Sequence, residues 1–176
     1  MTWSAPMTAV AGATFSAAQF NQYVRDNLNE TGPAKVTGAG QILVSTAANA
    51  LAARVPSAAV VATSQGPGST GAYVDLTTVG PTVTVNTGTQ ALVWIAALMS
   101  NSGANTDSTS VAVSGASSVA ASDAWAAVQV GTSAARPGVG HLFTGLTPGS
   151  NIFTTKYKAS GNTAAFSNRE IIVVPL

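Results

Sequence analysis

Apolar positions recur at two different periods along this chain. From Phe20, the large apolar residues Tyr23, Val24 and Leu28 follow at offsets of three, four and eight, which is the stripe of an amphipathic helix. Ser16 is a good N-cap, and Gln19 three residues later completes a capping box. Phe15 before the cap and Phe20 after it fit a hydrophobic staple. Gly32-Pro33 stops the pattern, so it predicts a helix over roughly residues 17–29. A helix of about three turns is marginal alone in water, so its stripe must dock on something. Arg25 and Asp26 sit beside the stripe, as a solvated face or as a polar surface that fixes register on a partner.

Beyond the helix the period falls to two. Gln41–Thr46 reads as a short strand, and Asn49–Pro56 as a turn followed by an extended piece. Ser64-Gln-Gly-Pro-Gly-Ser-Thr-Gly71 has the composition of a linker. From Tyr73 onward the strand candidates are Tyr73–Thr78, Thr82–Val85, Gln90–Met99, Ser108–Val113, Ala124–Val130, Gly140–Leu146, Ile152–Ala159 and Ala164–Pro175. Turn signals such as Val79-Gly-Pro81, Arg136-Pro-Gly138 and Thr147-Pro-Gly149 separate them. About eight short strands at this spacing predict a mainly β chain: an antiparallel, jelly-roll-like β-sandwich preceded by an N-terminal arm with one short amphipathic α-helix. The expected organisation is an anchor over residues 1–64, a linker over 65–72 and the sandwich over 73–176. Two strands, Leu92–Leu98 and Ile171–Val174, are apolar on both faces, whereas a sandwich strand normally buries one. Their outer face calls for cover, by a neighbouring protomer or by the N-terminal segment.

Composition sharpens this picture. Only 7% of the 176 residues are charged and the net charge is +1, so Ser, Thr, Asn, Gly and Ala cover the surface. Such a surface opposes self-association weakly and orders few long side chains on contact. The seven basic residues are scattered, so nucleic acid is not an expected partner. There is no Cys, which excludes disulfides and thiolate metal sites. The longest apolar run, Ala91–Met99, is about half a membrane span, so no membrane partner is expected. The opening Met-Thr-Trp-Ser-Ala-Pro lacks the basic region and apolar core of a secretion signal, and synthesis in a cytoplasm is expected.

Chemistry is sparse. His141 is the one histidine, and no G-x-S-x-G elbow accompanies it. The carboxylates Asp26, Glu30, Asp75, Asp107, Asp123 and Glu170 are dispersed, with no metal-ligand cluster. Paired carboxylates for glycoside hydrolysis converge in space rather than in sequence, so that route stays open, without the abundant aromatic and charged residues that usually accompany it. No phosphate loop follows the Gly-rich stretches. The expectation is a non-enzyme without cofactor or metal. Tyr73 and Trp125 are candidates for surface contact, as loop aromatics or as core.

The leader with Trp3 and the phrase Asn21-Gln-Tyr-Val-Arg-Asp-Asn-Leu28 resemble the start of small virion structural proteins from tailed phages of actinobacteria. Gly38-Ala-Gly-Gln-Ile-Leu-Val-Ser-Thr-Ala-Ala-Asn-Ala-Leu-Ala-Ala-Arg54 is similar to a segment of phage head and tail fibres, with Gln41 in place of the usual acidic residue. Gly145-Leu-Thr-Pro-Gly149 and Phe166-Ser-Asn-Arg169 resemble the β-sandwich tips of the same proteins. The resemblance implies a virion component, commonly a trimeric homo-oligomer, attached by its N-terminal segment to the particle. The lack of a long shaft favours a capsid decoration protein or short head fibre on the major capsid protein; a minor tail protein or tail fibre touching a host cell-surface glycan is the alternative. The anchoring residues then expected are Trp3, Phe15, Phe20, Tyr23, Val24 and Leu28.

Overall fold

A computed structural model describes residues 3–8, 10–161 and 163–176. The chain divides into two compact units, Met1–Val55 and Pro56–Leu176.

The first unit is a helical segment and a hairpin. Ala17–Phe20 (α1) and Asp26–Leu28 (α2) are α-helical and flank a π-helical turn over Asn21–Arg25. The capping box forms as expected: the Ser16 hydroxyl accepts from the Gln19 amide at 3.2 Å, and the Gln19 side chain accepts from the Ser16 amide at 2.9 Å. Phe15 and Phe20 meet edge to face at 6.1 Å, the expected staple. Gly32-Pro33 does more than stop the segment. It opens a further turn, Gly32–Lys35 (α3), where proline occupies a first-turn position whose missing N–H costs nothing. Ile42–Ala47 (β1) and Ala50–Arg54 (β2) pair antiparallel around Asn49, whose φ of 57° suits a tight turn.

The second unit is an antiparallel β-sandwich. One sheet has the order β3-β11-β6-β9, built from Ser57–Val61, Ala164–Pro175, Gln90–Asn101 and Gly138–Thr144. The other has the order β4-β10-β7-β8, built from Thr70–Val74, Gly149–Ala159, Thr106–Gly115 and Ala127–Val130. β5, Thr82–Thr87, also pairs with β10, along its first half, where β4 takes the second. Alternation decides what goes inside. Val93, Ile95, Val111, Val113, Phe153, Ile171 and Val173 fill the main core between the sheets. Met99, Tyr157, Ala159 and Phe166 form a second cluster at one end. Each Val, Ile, Phe or Met side chain so removed from water contributes roughly 1.5–3 kcal/mol.

The boundary between the units falls earlier than the composition suggests. Ser57–Val61 is a strand of the sandwich, hydrogen-bonded to β11 across Ala59↔Ile171 and Val61↔Arg169. The segment read as a linker is partly tied down. Gln65 exchanges two backbone hydrogen bonds with Phe166, at 3.0 and 2.7 Å, and β4 begins at Thr70. β3 covers an edge of β11 that would otherwise stand open, which is why a small-residue run without strong alternation becomes a strand.

Candidate functional site

Three surfaces hold the residues singled out from the sequence. The first is the N-terminal unit. Among its described residues no large apolar side chain is buried: Trp3, Phe15, Phe20, Leu28, Val36, Leu43 and Val55 are all exposed, Leu28 at 60%. Its buried side chains are polar, Asn27 and Glu30. Asn27 is the clamp of the segment. Its Oδ1 accepts the Ser4 amide at 2.8 Å, and its Nδ2 donates to the carbonyls of Ser4 and Tyr23 at 3.0 and 3.1 Å. Glu30 is paired with Lys35 at 3.0 Å, and that hydrogen bond holds its carboxyl below the usual range.

The expected anchoring stripe is therefore split. The π turn inserts an extra residue, so the face that Phe20 begins is not the face that α2 continues. Tyr23 and Val24 are half-buried, while Phe20 and Leu28 point to solvent. Trp3 lines a groove of about 370 Å³ with Glu30, Gly32 and the hairpin residues Ser45, Ala47 and Leu51. Phe15 lines another, of about 380 Å³, with Met7, Val10 and Gln19. Asn27 was not singled out from the sequence; the signal was there, a polar residue within the helical run Tyr23 to Leu28.

The second surface is the outer face of the β4-β10-β7-β8 sheet. Here Lys156 pairs with Asp75, and Lys158 pairs with Asp123 and lies 4.8 Å above the Tyr73 ring. The Tyr73 hydroxyl donates to Asp123 at 2.6 Å. Burial, then this hydrogen bond, pushes the Tyr73 phenol well above its usual range. The Lys158 and Tyr73 hydrogen bonds hold the Asp123 carboxyl low. Tyr73 is thus engaged within the chain. So is Trp125: its Nε1 donates to the Val111 carbonyl at 3.0 Å, and its ring stacks on His141 at 5.1 Å and meets Phe143 at 5.4 Å. Its ring packs against the edge of the main core. His141 in turn meets Phe143 edge to face at 4.8 Å, which completes an aromatic ladder.

The third surface was anticipated only as two-sided strands. Register places Trp94 opposite Gly140 on one side and Ile172 on the other, and Leu92 between Leu142 and Val174. Ile172 continues to Ala58, and Glu170 to Val60. All of these point away from the core. Trp94, Leu142 and Ile172 are exposed, Trp94 at 42%. Trp94 lies so close over Gly140 that a Cβ there would stand 2.6 Å from its Nε1. Beside it a groove of about 350 Å³ runs along Ala96, Gly138, Glu170 and Ile172. Glu170 is held by Arg136 at 2.7 Å.

Taken together, Asp26, Glu30, Asp75, Asp123 and Glu170 each sit with a cation. Asp107 is buried against Asn101. No group of three His, Asp or Glu among the described residues could hold a metal ion. No helix among them is long and apolar enough to cross a membrane.

No family model matches this chain, and no curated protein matches it. Among solved structures it is similar to an exo-β-1,3-galactanase from Phanerochaete chrysosporium solved with galactose, at 19% identity and a TM-score of 0.33. That match covers 72% of this chain and spans 31% of the galactanase chain.

Proposed function

We propose that this chain is a structural protein of a bacteriophage virion, a capsid decoration protein or short head fibre that holds the major capsid protein through its N-terminal unit. The observation that supports the reading is the contrast between the two units. The sandwich has its own hydrophobic core, whereas the N-terminal unit leaves Trp3, Phe15, Phe20 and Leu28 exposed around a polar clamp. An apolar set arranged by a capping box, a staple and Asn27 is suited to close on a partner surface. The resemblance of the Asn21–Leu28 phrase supplies the partner class, and it implies a homo-oligomer, commonly three copies, so that several weak arms act together. The role is adhesive. Buried area holds the protein in place and no bond is made or broken, in keeping with carboxylates already matched by cations.

Copy number in purified virions, measured by quantitative mass spectrometry against the major capsid protein, tests the reading. Hundreds of copies per particle are expected. A few dozen or fewer would move the protein to the tail, and none would overturn the structural role. A second test is the pair Phe20→Ala and Leu28→Ala. The double variant is expected to fold its sandwich normally and fail to join the particle, since truncating a large apolar side chain that is buried against a partner costs roughly 2–5 kcal/mol. Normal incorporation would sink the anchor assignment.

A further inference from the structure

We infer that the outer face of the β3-β11-β6-β9 sheet is where one copy of this chain seats on a second copy, face to face, with Trp94 at the centre. This rests on the homo-oligomeric part of the reading above and replaces its three-fold expectation with a two-fold contact.

The two outer faces of the sandwich differ in kind. The β10 side presents Thr154, Lys156 and Lys158, and its ion pairs suit water. The β6 side presents Leu92, Trp94, Leu142, Ile172 and Val174, with one charged residue, Glu170, already neutralised by Arg136. A sandwich that works alone in water covers both outer faces with polar side chains.

Three features select a second copy as the occupant. First, the face carries almost no net charge, so apposing it to itself brings no like-charge repulsion. Second, it offers both halves of a two-fold contact, projections and a groove. Projecting side chains, Leu142 and Val60 among them, lie beside the groove floored by Gly138 and walled by Trp94 and Ile172. In a two-fold arrangement each copy's projection meets the other's groove. The glycines matter for this: a side chain at Gly138 would fill the groove floor, and one at Gly140 would displace the indole. Third, the area fits a weak, reversible pair. Four strands about 4.8 Å apart, over about seven residues of about 3.4 Å rise, give a face on the order of 450 Å². Two such faces in contact bury on the order of 900 Å², just under the ~1,000 Å² that marks a specific interface. The contact is accordingly weak in dilute solution and strong where copies are held side by side, as on a particle.

Analytical ultracentrifugation of the full chain over a wide concentration range, with Trp94→Lys and Leu142→Lys beside it, tests the pairing. The wild type should move reversibly from one copy to two. Either variant should stay at one copy at every concentration while keeping the wild-type far-ultraviolet spectrum. Tryptophan fluorescence should shift to shorter wavelength as the wild type pairs, and the shift should be absent in Trp94→Lys. A wild type that remains single throughout overturns the inference, as does a trimer or dimer whose mass ignores both substitutions. Quenching of Trp94 in the single-copy protein by an oligosaccharide, without pairing, would also overturn it and assign the groove to a glycan. None of these failures touches copy number in the virion, which alone decides the structural role.

Discussion

Asp107 is a carboxyl in the wrong solvent. It is fully buried, and its one partner is the Asn101 amide at 2.7 Å, while Oδ2 has no partner. Burial pushes its pKa above the usual carboxylate range, against the pull of that hydrogen bond. A folded-state pKa above the unfolded one means the stabilisation belongs to the protonated form. It is complete below the unfolded value and is lost as pH rises through the folded one. Asp107→Asn, neutral at every pH, escapes that loss. Its melting temperature relative to wild type should improve as pH rises above about 4 and level off once the wild-type carboxyl is ionised. A difference that stays constant with pH would remove the Asp107 charge from the account. Nothing in the sequence pointed to this residue, because a lone Asp beside Asn105-Thr106 reads as a turn and only the register of β7 turns it inward. The Ser16–Gln19 capping box and the Phe15–Phe20 staple were easier, since both act within a few residues of themselves.

Elements were legible where local pairing decided them and obscure where an irregularity shifted phase. The helix was placed within a residue or so, but not its π turn, which moves Phe20 and Leu28 off the face that Tyr23 and Val24 share. β11 contains a second phase change. Asn168, at φ 45°, forms a bulge between Ser167 and Glu170, so that even-numbered residues face inward before it and odd-numbered ones after it. The bulge turns Arg169 into the core, where it is fully buried. Its guanidinium donates to the carbonyls of Thr78 and Gly80 at 3.1 and 3.2 Å and lies 5.2 Å from the Tyr157 ring centre. Arg169→Ala should cost roughly 3–5 kcal/mol in denaturant unfolding, through poorer packing and an orphaned Thr78 carbonyl, the Gly80 carbonyl keeping the Tyr157 hydroxyl at 2.8 Å. Arg169→Met fills much of the volume and should cost about 1–3 kcal/mol, the Thr78 carbonyl alone. Equal costs would show that the hydrogen bonds, not the packing, dominate. β3 was missed for the opposite reason: Ser57-Ala-Ala-Val-Val61 carries too little contrast between its faces to announce a strand.

At the scale of the whole molecule, the sandwich was readable from eight strand signals and the turns between them, while the place where it begins was not. Both core clusters lie within Pro56–Leu176. Residues 56–176 alone should therefore unfold cooperatively at nearly the melting temperature of the full chain, and residues 1–55 alone should show little fixed structure by circular dichroism. A fragment 56–176 that fails to fold would make the N-terminal unit part of the sandwich's stability. The local matching of charges has a kinetic consequence. Five carboxylates sit on five cations, and the net charge is +1, so little field reaches beyond the surface. Partners are not drawn in from a distance. Encounter proceeds at the unsteered rate of about 10⁵–10⁶ M⁻¹s⁻¹ and hardly responds to salt. A protein with so slow an arrival is retained by slow departure, so once bound its residence time sets how much of any surface it covers.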